Sequence, residues 1–403
     1  MNRRRMITTS AVGTIGASLT FGCRPARQES EAPASRAATE RTLDQLLLRD
    51  YEPKSVFKIP GTRIEKAKFP VIDFHNAAVG AMGPEANPPQ TDEVEELIKA
   101  MDALGIEKTV VSGGYIPTPE RFTQLRSLYS KHQERFIFFC AFDLRAANEP
   151  DFAARAIKSL EECHRLGAAG VGEIIDKGKG LEVMFNAPAD VQTTPLNQDF
   201  VGAPHLDDPR LDPVLEKCAQ LGMPVFVHVA DPYWAYLPMD KTNDEFKVIF
   251  PWRQELKPGV LGYDGLIGSL EVAAQKHPKT IFVAAHYASL EYDLGRAGKL
   301  LERNPNLYLD MSSRFPEIST IPRFASEFIQ KYPQRIVYGT DSGVYDTEAI
   351  RTTFRVLETL DEHFYYYPAF IWPMYGLGLP DHVLKNVYHD NALSIFRRAR
   401  SNA

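Results

Sequence analysis

Six ionisable side chains stand where apolar runs end: Asp73 and His75 in Val71-Ile72-Asp73-Phe74-His75-Asn76, Glu173 in Gly170-Val171-Gly172-Glu173-Ile174, His228 in Val225-Phe226-Val227-His228, His286 in Phe282-Val283-Ala284-Ala285-His286, and Asp341 in Tyr338-Gly339-Thr340-Asp341. Imidazole nitrogens and carboxylate oxygens are the atoms that Zn²⁺ and similar divalent ions accept as ligands. One histidine after a strand is ordinarily a hydrogen-bonded core residue, and one aspartate or glutamate a cap or an ion-pair partner. Six together, spread over the ends of five strands, point to a shared metal site. On strand geometry, Asp73, His75 and position 77 face the same way. Position 77 is alanine, so this strand offers one histidine where an HxH pair would offer two.

Such residues need elements to hold them. After Phe69, apolar strand-like runs alternate with amphipathic helix-like ones. Eight runs read as strands: 71–74, 109–112, 136–142, 170–174, 224–229, 280–285, 307–311 and 335–339. Between and after them, 92–104, 120–132, 151–166, 212–221, 263–276, 291–303, 321–331 and 347–360 read as helices. Asp92 and Asp151 suit N-caps, and Gly105, Gly167 and Gly222 fall just past helix ends. Eight such βα units over about 270 residues have the size and rhythm of an α/β (β/α)8 TIM-like barrel, which assembles its active site at the C-terminal strand ends. An open doubly wound sheet is the alternative, but no GxGxxG follows the first strand. Residues 381–398 read as an extra C-terminal helix packed on the outside.

Here the chain resembles the amidohydrolase superfamily, within it the amidohydrolase-related branch that includes metal-dependent decarboxylases and lactone hydrolases. The resemblance spans about residues 69–398 and rests on Ile72-Asp73-Phe74-His75-Asn76, Val227-His228, Ala285-His286 and Gly339-Thr340-Asp341, with Tyr375-Gly376-Leu377-Gly378-Leu379-Pro380 further on. It implies His75 and His228 as metal ligands, Glu173 as the strand-four ligand, and Asp341 as a ligand that also handles a proton of bound water. His286 would be a catalytic group beside the metal, or a ligand in two-metal members. With Ala77 in place of a second histidine, one divalent ion is expected, Zn first and Mn or Fe as alternatives.

The expected reaction is metal-assisted hydrolysis of an amide, lactone or ester bond in a small molecule. Non-oxidative decarboxylation of a small aromatic or unsaturated acid is the runner-up. A metal-depleted binding protein is the reading of another class. Long connections after strands four (176–208) and five (230–262) suit a substrate pocket. The second carries Trp234 and Tyr236, read as a pocket wall or lid. The aromatic run 364–368 reads as shell packing, and Arg314 as a grip for a substrate carboxylate.

A formal net charge of −6 gives no reason to expect nucleic acid. No apolar run reaches the ~18–20 residues of a membrane span. Cys140, Cys163 and Cys218 sit in apolar patterns and read as buried thiols. Residues 1–23 read as an export signal: Asn2-Arg3-Arg4-Arg5-Met6-Ile7 resembles a twin-arginine motif, and Thr20-Phe21-Gly22-Cys23 a lipoprotein cleavage box. Residues 24–42 read as a flexible tether, leaving 43–403 as the barrel domain. The protein is therefore expected outside the cytoplasm, periplasmic or lipid-anchored through Cys23 to a bacterial membrane. Membrane contact is expected only through that N-terminal region. Homo-oligomerisation is left open.

Overall fold

The strand ends do converge. The computed structural model describes residues 45–403 apart from 77–90, 112–117, 145–146, 182–202, 255–257, 342–345 and 367–369. The signal, the tether up to residue 42, Cys23 and Ala77 lie outside the described residues. In chain order the elements are β1 (Val71–Asn76), α1 (Thr91–Leu104), β2 (Ile106–Val111), α2 (Pro119–Leu128), β3 (Phe136–Cys140), α3 (Phe152–Arg165), β4 (Gly170–Asp176), α4 (Asp212–Gln220) and β5 (Val225–Val229). There follow α5 (Phe246–Ile249), α6 (Tyr263–Lys276), β6 (Phe282–Ala284), α7 (Leu294–Arg303), β7 (Leu307–Asp310), α8 (Phe315–Ile318), α9 (Pro322–Lys331), β8 (Ile336–Val337), α10 (Thr347–Glu358), α11 (Asp381–Lys385) and α12 (Asn391–Asn402).

The strands form one eight-stranded sheet in sequential order, each pair parallel. The seam between β1 and β8 is closed by Phe74 N–H donating to Tyr338 O (2.9 Å) and by Thr340 and Asp341 N–H donating to His75 O (2.9 and 2.7 Å). This is the (β/α)8 barrel, with its polar strand ends on one face.

Two apolar layers follow from the period-2 alternation of the strands. Val71, Val111, Phe138, Val171, Val227 and Leu309 pack outward against the helices. Ile72, Phe74, Phe139, Phe226, Val283 and Val337 fill the barrel. The C-terminal segment forms the extra helix expected, continuous over residues 381–402, with a π-helical turn at Asn386–Asp390 joining α11 to α12. Ile395 and Phe396 of α12 enter the inner layer, Phe396 stacking on Phe74 with ring centroids 5.8 Å apart. An amphipathic helix buries its apolar face wherever apolar surface stays open, and here that is the end of the barrel opposite the site.

Other local expectations shift. Gly105, Gly167 and Gly222 take positive φ just past helix ends. Asp92 falls inside the first turn of α1, which starts at Thr91. Asp151 occupies the N-cap position of α3 but makes no capping bond; it pairs with Arg155 at 3.4 Å. Residues 291–293 are not helical. Asp293 caps α7 by accepting from Arg296 N–H at 2.9 Å, which leaves Glu291 in the preceding loop.

Candidate active site

The C-terminal face of the barrel gathers His75, Glu173, His228, His286 and Asp341. Nε2 of His75 lies 3.4 Å from Glu173 Oε2 and 3.2 Å from Asp341 Oδ1. Nδ1 of His228 lies 2.9 Å from Glu173 Oε1. Nε2 of His286 lies 3.6 Å from Asp341 Oδ2. Two sets of donor atoms each lie within 4.8 Å of one another: Glu173, His228 and His286, and His75, His286 and Asp310. His286 thus stands among the metal-donor atoms as well as beside Asp341.

Glycines allow this approach. Gly172 has φ +126°, and a Cβ there would collide with the Phe226 carbonyl on β5. A Cβ on Gly339 would strike the Asp310 carboxylate and His75 Cβ. Each glycine lets neighbouring strands close in beside a site residue.

The imidazoles are oriented from behind. His75 Nδ1 is 2.9 Å from Asp310 Oδ2 and 2.8 Å from Ser312 Oγ. The Ser312 hydroxyl also donates to Asp310 in a very short contact. His286 Nδ1 is 2.9 Å from the Ser312 carbonyl, which only accepts. The proton of His286 therefore sits on Nδ1, and the Nε2 lone pair faces the site. His228 has Nδ1 on Glu173, while its buried Nε2 has no hydrogen-bond partner. Asp310 and Ser312 were not read from the sequence. Asp310 was counted inside the strand 307–311, although an acid closing an apolar strand is the signal that marked the other site residues.

Charge is traded inside the cluster. Burial works against the His75 imidazolium, but Glu173 and Asp341 outweigh it and hold its pKa well above the usual value. Burial likewise opposes ionised Glu173, and His75 and His228 outweigh that, keeping it well below the ordinary range. Burial, then Arg314 and His228, push His286 well down, so it stays neutral. In this arrangement a proton on His75 Nε2 occupies the place between two carboxylates that a cation would take. With the partnerless His228 Nε2, the donor set fits a divalent ion.

Asp73 does not join it. The ladder register shifts between Asp73 and Asn76, so simple alternation fails there. Its carboxylate instead accepts from Thr340 N–H (3.0 Å), Thr340 Oγ1 (2.8 Å) and Asn76 Nδ2 (2.9 Å). Burial raises its pKa to about 7. It clasps β1 to the end of β8 and leaves the orientation of His75 to Asp310 and Ser312.

Arg314 is buried and engaged. Its Nε is 3.4 Å from Glu291, its Nη1 is 3.9 Å from Glu317, and Nη1 donates to Ser313 O at 3.3 Å. Trp234 donates to Asp244 Oδ1 at 2.7 Å, and the Tyr236 hydroxyl accepts from Asp231 N–H at 3.3 Å. Tyr236 packs on Tyr263, with centroids 5.2 Å apart. A cavity of about 40 Å³ beside Asp341 is lined instead by Ser313, Phe315, Ile350, Tyr366 and Phe370. Tyr366 comes from the run read as shell packing; nothing local in that run distinguishes it. The two long connections are tied at their bases by half-buried Lys177 and buried Asp231, 2.6 Å apart.

A protein-family model described as Amidohydrolase matches residues 70–398. No curated protein sequence matches the chain. Among solved structures, a Staphylococcus aureus protein assigned to the amidohydrolases aligns with a TM-score of 0.50 and 15% identity, over 82% of this chain and 100% of its own. For 5-carboxyvanillate decarboxylase from Sphingomonas paucimobilis the values are 0.46, 14%, 82% and 99%. For 2,6-dihydroxybenzoate decarboxylase in complex with 2,6-dihydroxybenzoate they are 0.45, 16%, 82% and 99%. At these identities the likeness concerns the fold.

Proposed function

The chain belongs to the amidohydrolase family, and from that premise we propose that it is a metal-dependent hydrolase of an amide, lactone or ester bond in a small molecule. The observation that carries this reading is the donor set itself: three imidazoles held through Nδ1, with Glu173 and Asp341 between them. His75, Glu173, His228 and Asp341 would hold one divalent ion, most simply Zn, which leaves the Nε2 lone pair of His286 for proton transfer. Such an ion lowers the pKa of bound water towards about 7 and polarises a carbonyl.

The chain supplies the rest. Asp341 takes the proton from the attacking water. It is fixed by its own N–H on His75 O and by Ser313 Oγ, 3.3 Å from Oδ2. Neutral His286 has no proton on Nε2 to donate at first, so it acts as a proton acceptor from Asp341 and only then as a donor to the leaving group. Phe315, Tyr366 and Phe370 offer an apolar wall beside Asp341.

Hydrolysis is favoured over decarboxylation by the state of Arg314. Glu291 and Glu317 already answer its charge. A substrate carboxylate seeking it would enter among acids.

Elemental analysis of the purified protein should find about one divalent ion per chain. Failure to bind zinc, manganese or iron would overturn the proposal. A panel of lactones, amides and esters should yield the free carboxylic acid; carbon dioxide release from aromatic acids would move the assignment to decarboxylation.

A further inference from the structure

Exposed large apolar side chains are concentrated in one stretch. Leu46, Leu47, Leu48, Tyr51, Val56, Phe57 and Ile59 are all exposed, Val56 at 87% and Phe57 at 61%. Across the rest of the described chain only Phe250, Val272, Ile321, Phe324 and Leu360 are comparable. Apart from a single 3-10 turn at Leu48–Asp50, residues 46–59 run as an irregular arm along the barrel. Lys247 Nζ donates to Tyr51 O at 3.0 Å. Ser55 Oγ is 3.1 Å from His363 Nδ1, and the Phe57 ring meets His363 edge-on at 4.7 Å. Thr62 N–H and Oγ1 then donate to Asp361 at 2.6 and 2.8 Å. These contacts lay the arm beside the segments that carry Phe250 and Leu360, so the apolar surface is shared between arm and body.

The arm also has a small basic excess. Residues 46–59 carry Arg49, Lys54 and Lys58 against Asp50 and Glu52, and residues 60–68 add Arg63, Lys66 and Lys68 against Glu65, within a chain of net charge −6. Arg49, Lys54 and Lys58 are exposed and interleave the apolar residues. We propose that residues 46–59, with Phe250 and Leu360, rest on an anionic lipid surface. Apolar side chains would enter the headgroup–acyl boundary, while the long basic side chains reach up to the headgroups. The acidic body would be repelled by the same surface, which leaves the arm as the contacting face. A second copy fits worse: a two-fold interface would lay this basic strip on itself.

The neighbouring sequence supports the lipid occupant. Residues 1–23 read as an export signal with the apolar stretch 8–22, and residues 24–42 as a tether. Even fully extended, that tether spans at most ~70 Å. The arm would therefore lie close to any bilayer that the N-terminal segment enters. Among the described residues no helix is long and apolar enough to cross a membrane. The contact is superficial and independent of the proposed reaction.

The test uses the full chain. In a Cys23→Ser background the described cysteines, Cys140, Cys163 and Cys218, are buried, so Ile59→Cys can carry a polarity-sensitive dye. Vesicles of phosphatidylcholine with phosphatidylglycerol should shift its emission to the blue. Phosphatidylcholine alone should not, and about 0.5 M NaCl should reverse the effect. In unlabelled protein, Leu47→Asp, Val56→Asp and Phe57→Asp together should lower partitioning about tenfold or more. Lys54→Glu with Lys58→Glu should remove the preference for anionic vesicles. The proposal is overturned if the protein sediments with vesicles while the dye does not respond, if it ignores anionic vesicles, or if the triple Asp variant partitions like wild type. It is also overturned if size-exclusion chromatography shows a dimer that the triple variant dissolves, for then a second copy covers the patch.

Discussion

Two buried polar clusters share the mouth of this barrel, and they settle their charge in opposite ways. In the first, Glu173 and Asp341 hold the His75 pKa up against burial, His75 and His228 hold that of Glu173 down, and His286 stays neutral with its proton on Nδ1. In the second, Arg314 stands among Glu291, Glu317 and Glu245. Burial pushes all three glutamates up, Glu317 to about 7. Both oxygens of Glu291 lack hydrogen bonds. The first cluster holds lone pairs where a cation could replace a proton. The second holds an immovable cation among acids whose pKa values burial raises. Equally buried acids thus become ligands or ballast according to whether their neighbour can give up a proton. Histidine can; arginine cannot.

The contrast predicts separable losses. His75→Ala should abolish metal uptake and lower turnover by about 10³-fold or more, with the fold intact by circular dichroism. Arg314→Met should do the reverse. It leaves buried acids without their cation and should cost about 3–5 kcal/mol in denaturant unfolding, while metal per chain stays unchanged. Loss of metal from that variant would show that the clusters act as one.

Glu317 sharpens the comparison through pH. Its folded pKa of about 7 exceeds its ordinary 4.5 because of burial. The folded state keeps this proton over the window where the unfolded state releases it. Its contribution is therefore fully present below about 4.5 and is lost as pH rises to 7, a fall of roughly 3 kcal/mol. Unfolding midpoints of Glu317→Gln should lack that part of the slope. Smallest, Asp310→Asn should weaken metal affinity about 10–100-fold by loosening His75, read by competition with a chelator.

Much of the first cluster could be read from the chain, and little of the second. His228, His286 and Asp341 each stand at or just past the end of an apolar run, Glu173 sits within β4, which runs on to Asp176, and a barrel brings its strands together whatever their separation in sequence. Asp73 was legible as a strand residue but not in direction, because the register shift between Asp73 and Asn76 is set by the neighbouring strand. Glu291 hid in a run with helical spacing, where only the cap at Asp293 fixes the true start of α7. Arg314 was located correctly; Glu317 lies three residues on, in α8, but Glu291 comes from the distant loop before α7. The wall of Phe315, Tyr366 and Phe370 is likewise built from distant segments. No local pattern encodes which loops meet.

The stacking of Phe396 on Phe74 has a bearing on how the molecule comes into being. Residue 74 leaves the ribosome more than 300 positions ahead of its partner. Until α12 arrives, Phe74 and Phe139 have no lid beneath them, and a contact of such sequence separation is slow to form. The floor of the barrel is thus laid after its walls. The strand that bears His75 waits for α12 before its underside is sealed.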